Sequence, residues 1–156
     1  MSDRTSMSVI VYFDREPTAE EGQRFEGISD NYYGEDWGLG DPDRHTLSFG
    51  VQENVCGGSE EIFEQLREAL PDAAEVVVWE DPKYEWLGQV FRWKHGQEEP
   101  FSAECDANGL VVLTEIEVEK ILDGVATRPA ADAVIEVREL RTKLLEAIGK
   151  VPACGK

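Results

Sequence analysis

The placement of charge constrains this chain more than any other feature. Residues 1–81 hold twenty Asp or Glu against five Arg and no Lys, a formal charge of −15, whereas residues 82–156 hold thirteen acids against ten bases. Nearly all of the net −18 therefore belongs to one half. Repulsion on this scale works against compactness, so the acidic half needs a good core or a use for its field. Apolar residues make up 41% of the chain, with six Phe, four Tyr and four Trp spread along it, too much for a disordered acidic tail. A length of 156 residues suits one domain.

The same imbalance excludes partners. Free DNA or RNA is held by Lys and Arg that neutralise phosphates, and residues 1–81 offer five Arg. Anionic membrane surfaces are disfavoured for the same reason, and no stretch approaches the roughly 18 to 20 apolar residues of a membrane span. The opening MSDRTSMS has no apolar run behind a basic cluster, so it lacks a secretory signal. Cys56, Cys105 and Cys154 are an odd number, widely spaced and without C-x-x-C, which fits a reducing compartment. The expectation is a cytoplasmic protein, in the host cytoplasm if phage-encoded, that needs no cofactor and meets basic proteins.

Local patterns predict the elements. Ser8–Phe13, SVIVYF, is β-branched and aromatic and reads as a buried strand. Thr18 caps a helix with Glu20 and Glu21 in its first turn and Phe25, Ile28 and Tyr32 along one stripe. Gly34–Arg44 is a Gly, Asp and Pro loop, and Thr46–Gln52 alternates as a half-buried strand. After the turn Cys56-Gly57-Gly58, Ser59 is expected to cap a helix to Leu70, with Ile62, Phe63 and Leu66 inward. Strands are predicted at Glu75–Trp79, Tyr84–Lys94, Phe101–Cys105 and Leu110–Leu113, the last behind the Asn108-Gly109 turn. Thr114 and Glu117 form a capping box for a short helix stopped by Gly124. A final helix opens near Pro129, carries Val134, Val137, Leu140, Leu144 and Ile148, pairs Glu139 with Lys143, and ends at Gly149 and Pro152.

This order predicts an α+β fold: a mostly antiparallel sheet of five to six strands, two acidic helices in the first half and a C-terminal amphipathic helix. Within a single domain spanning 1–156, the stretches are the acidic half 1–81, strands and a short helix over 82–126, the helix over 127–149 and a frayed tail over 150–156. The strand 84–94 carries large aromatics on both faces. Either both faces are covered, or Tyr84 and Trp86 with Arg92 form an interface patch.

Motifs for chemistry are sparse. Cys56 precedes a helix start, where a thiol pKa falls, and a cysteine enzyme would draw its base from His45 or His95; a small buried or loop cysteine is the plainer alternative. Asp41, Asp43 and His45, with Asp36 nearby, carry donors for a hard cation but lack the glycine and terminal glutamate of an EF-hand. No G-x-S-x-G occurs, and Gly38-Leu39-Gly40 lacks the third glycine of a dinucleotide fingerprint and stands among acids that repel a pyrophosphate.

In kind, a small, strongly acidic protein of this sort looks like inhibitors that occupy basic clefts, among them phage anti-defence proteins, DNA mimics and immunity proteins. The leading expectation is a non-enzymatic binding or inhibitor protein that docks on a basic surface of a nucleic-acid-binding partner. Its contact residues would be Glu20, Glu21, Glu26 and Asp30 on the first helix, Glu35, Asp36, Asp41 and Asp43 in the loop, Glu60, Glu61, Glu64 and Glu68 on the second helix, and Tyr84 and Trp86. The alternative is a virion or secretion subunit docking through the aromatic patch and the C-terminal helix. A third, less favoured reading is a small enzyme built on Cys56 or on the Asp41, Asp43 and His45 loop.

Overall fold

A computed structural model describes residues 4–55, 57–83, 87–126 and 133–150. It shows the α+β fold: five strands, β1 (Arg4–Phe13), β2 (His45–Val55), β3 (Glu75–Glu80), β4 (Gly88–Lys94) and β5 (Phe101–Cys105), and four helices, α1 (Ala19–Asn31), α2 (Ser59–Ala69), α3 (Glu115–Ala126) and α4 (Ala133–Ala147). The chain divides into two compact units, Met1–Leu110 and Val111–Lys156. The charge break after Asp81 falls inside the first.

In the first unit the strands form one sheet of order β2-β1-β3-β4-β5, antiparallel at every pairing. β1 is an interior strand, with Val9 opposite Phe49 on one side and Val78 on the other. That position explains the unbroken apolar run: Met7, Val9, Val11 and Phe13 face one way and Ile10 the other, and all are buried. α1 and α2 lie on the first face. Phe25 and Ile28 of α1, and Ile62, Phe63, Leu66 and Leu70 of the α2 segment, close the core over Phe49, Val51, Val76 and Val78. Burying each such side chain stabilises the fold by about 1.5 to 3 kcal/mol.

The opposite face of the sheet is covered too. Val77, Trp79, Val90 and Cys105 are buried there. The Asp106–Gly109 turn lies against Trp79, whose Nε1 donates to the Ala107 carbonyl at 3.2 Å. Asp106 Oδ1 accepts from the backbone N–H of Asn108 and of Leu110, both at 2.9 Å, and fixes the turn. The turn predicted from Asn-Gly is present and closes with Asp106 N–H donating to the Leu110 carbonyl at 2.9 Å, but Leu110–Leu113 forms no strand: the chain leaves the ladder after a single bridge at Val111, its turn held against the Trp79 ring. Tyr84 and Trp86 lie outside the described residues, and the strand predicted from Tyr84 is described from Gly88.

The two helices of this unit begin differently. At α1, Thr18 accepts from the Glu21 N–H and Glu21 reaches back to the Thr18 N–H, a complete capping box. At α2 the N-cap is Gly58, with no side-chain cap, and the expected cap residue Ser59 is the first helical residue and almost wholly buried. The turn before α2 is held from the sheet instead, by Glu80 of β3 accepting from the Gly57 N–H at 2.8 Å.

In the second unit α3 and α4 pack on each other. The capping box of Thr114 and Glu117 is present, but α3 runs through Gly124 to Ala126. A glycine inside a helix costs only about 1 kcal/mol relative to Ala, which weakens the helix without ending it. Pro129 lies outside the described residues. α4 ends as expected: Gly149 takes a φ of 73° and donates to the Glu146 carbonyl, while Lys150 N–H bonds Leu145. Lys143 forms an ion pair with Glu146, three residues on, at 3.4 Å.

Candidate functional site

Helix α1 buries Phe25 and Ile28 and so turns Glu20, Glu26 and Asp30 outward. Helix α2 buries Ile62, Phe63 and Leu66 and presents Glu60, Glu61 and Glu68 to solvent, with Glu64 half-buried. The loop after α1 is pinned to the outer edge of β2 by paired backbone bonds between Glu35 and Gly50, both 2.8 Å. Gly50 is required there: a Cβ on it would meet the Trp37 ring at 1.9 Å. Thus anchored, the loop faces α1 across a groove of about 740 Å³. Phe25, Leu39, Leu47 and Phe49 supply its apolar walls, and Glu26, Asp30, Asp36 and Asp41 its charge.

The predicted contact residues fall into distinct environments. Glu21 is buried: both Arg15 Nη atoms bond it, at 2.9 and 2.7 Å, and with the Thr18 N–H these bonds hold its carboxyl at about 2. It secures the start of α1 and is no part of the exposed acid surface. Glu20 pairs with Arg24, and Glu64 with Arg67 at 3.0 Å. Glu35 accepts from Trp37 and Gln52, and Glu61 from Gln65. Asp36 and Asp41 each use Oδ1 to accept a backbone N–H two residues on, both at 2.9 Å. Among the described residues, no hydrogen bond or ion pair engages the carboxylates of Glu26, Asp30, Asp43, Glu60 or Glu68. Sequence reasoning found these acids but missed the groove and its apolar walls, which α1, the loop and β2 build jointly.

Cys56 lies outside the described residues, while His45 and His95 are exposed. Cys105 is buried beneath the sheet and its thiol is pushed up to about 12 by desolvation, which removes the thiolate a nucleophile needs. No group of three or more His, Cys, Asp or Glu among the described residues converges to hold a metal, Asp41, Asp43 and His45 included. Burial also raises the carboxyls of Glu80 and Asp81, at the end of β3. No described helix is long and apolar enough to cross a membrane. Comparison with known proteins gives no match: no protein-family model fits the chain, and no curated protein or solved structure matches it.

Proposed function

We propose that this is a non-enzymatic binding protein whose acidic unit occupies a basic surface on a partner protein, its carboxylates standing where a nucleic-acid-binding enzyme receives phosphates. One observation carries the reading. Glu26, Asp30, Asp43, Glu60 and Glu68 lie exposed on the first unit, and no described hydrogen bond or ion pair engages their carboxylates. A basic partner relieves that repulsion, and the field speeds encounter. The four ion pairs described within residues 1–81 all use arginines of the same stretch and leave these acids unanswered.

The test is capture of partners from the native host with the tagged protein, followed by mass spectrometry at low and high salt. The expected catch is a basic protein, released as ionic strength rises past about 0.5 M, and lost when Glu60, Glu61 and Glu64 are changed to Lys. Association that ignores salt, or that survives this charge reversal, overturns the reading.

A second reading, an assembly subunit, draws on the second unit, where Ile116 and Leu122 of α3 are 64% and 48% exposed. It requires a stable homo-oligomer at low concentration that Ile116→Asp dissociates. A monomer in analytical ultracentrifugation rules it out.

A further inference from the structure

We propose that the groove between α1 and β2 seats an arginine side chain of the partner, its stem on the apolar walls and its guanidinium among Glu26, Asp30, Asp36 and Asp41; this rests on the basic-partner reading above. The cavity itself is the first observation. At about 740 Å³ it falls within the range of ligand pockets, and its walls combine Phe25, Leu39, Leu47 and Phe49 with four carboxylates and no cationic side chain. Charge complementarity sets the sign of the occupant. The apolar walls set its shape, since a bare ion gains nothing from them and the described residues supply no converging ligand set.

A side chain with an apolar stem and a cationic head satisfies both halves. Between arginine and lysine the groove favours arginine. A guanidinium bonds carboxylates in pairs and is weakly hydrated, whereas an ammonium is a compact charge that keeps its water. The acids are available and partly fixed: Glu26 and Asp30 accept from no described residue, and Asp36 and Asp41 are each held by Oδ1, which leaves Oδ2 for a ligand.

The turn that joins α1 to the loop adds an independent oddity. α1 and α4 end in the same hydrogen-bonding motif, and at the left-handed position α4 has Gly149 while α1 has Tyr33, with φ 56°. Among the described residues Tyr33 alone adopts positive φ without being glycine, yet it is 89% exposed and gains nothing from burial. Tyr33 does not itself line the groove but stands in the chain between Asp30 and Asp36, which do, and its exposed ring is of the kind on which a guanidinium stacks.

The probes are an Arg-Gly repeat peptide and a Lys-Gly peptide of equal length and charge, titrated calorimetrically against the full chain. The wild type is expected to prefer the arginine peptide by about fivefold or more. Asp30→Asn with Asp41→Asn, in which the new amide oxygen at position 41 still accepts the Asp43 N–H, should cost about tenfold and erase the preference, while Glu98→Gln with Glu99→Gln, exposed acids between β4 and β5 that do not line the groove, should cost under about threefold. Tyr33→Gly should weaken binding without lowering the melting temperature, so its loss cannot be ascribed to unfolding. Equal losses from both double variants, or equal affinity for the two peptides, overturn the groove while the basic-partner reading stands. Salt-independent binding of both peptides defeats that reading as well.

Discussion

Among the residues whose exposure is described, the two units bury their apolar side chains to very different degrees. In the first, Phe13, Phe49, Phe63, Ile62, Leu66 and Leu70 are essentially sealed between sheet and helices. In the second, among residues 111–123 and 138–150, whose exposure is described, Gly149 alone is buried, and Val118, Ile121, Leu140 and Leu144 are half-buried. Both units nevertheless use the same T-x-x-E signal to start a helix. At α1 the glutamate is buried and clasped by Arg15; at α3 Glu117 is exposed, and the backbone bond from Thr114 chiefly lowers its pKa. One short motif thus marks a helix start in both places, but only where a core lies behind it does the motif join the tertiary structure.

The contrast can be broken most directly in the core. Phe63→Ala should cost about 3 to 5 kcal/mol in guanidinium unfolding, against about 1 kcal/mol for Leu144→Ala, whose side chain gives up only part of its area. Comparable losses would mean that the second unit is as firmly packed as the first. Next in size are the caps. Thr18→Ala should cost about 1 to 2 kcal/mol of global stability, while Thr114→Ala should cost about 0.5 to 1 kcal/mol and speed amide exchange only at the start of α3.

Acid titration sharpens the same difference. The Glu21 carboxyl is depressed from 4.5 to about 2, so its contribution is complete above about 4.5 and disappears as pH falls towards 2. Glu21→Gln should flatten stability across that window. Glu80 has the opposite sign: burial raises its carboxyl, the folded state holds the proton more tightly than the unfolded one, and ionisation above the ordinary carboxylate range costs stability. Glu80→Gln, which keeps an acceptor for the Gly57 N–H, should therefore raise the melting temperature slightly at pH 7, the smallest effect expected. A lowered midpoint would show that the charge itself is needed at the start of α2.

Signals carried by neighbouring residues were legible in the sequence. The run SVIVYF, the Thr18 and Thr114 caps, the apolar stripe of α2 and the ends of β5 all emerged from spacing and residue type, since each depends on contacts within a few positions. What escaped depends on distant partners. Ser59 looks like a cap until Glu80 supplies the bond from another strand. Leu110–Leu113 looks like a returning strand, yet its pairing stops at a single bridge while Trp79, from a distant strand, holds the turn. The groove escaped for the same reason: its acids were visible, but its shape depends on Gly50 leaving room for Trp37 and on the Glu35 bridge, pairings that no local pattern encodes.

The sheet order also bears on how the protein is made. β1 leaves the ribosome before both of the strands it lies between, with Val9 waiting for Phe49 and then for Val78. Until Glu80 has been synthesised, this apolar segment has an unsatisfied edge, and it is followed by a chain dense in negative charge. Like charge on every copy opposes the edge-to-edge pairing that a bare apolar strand invites.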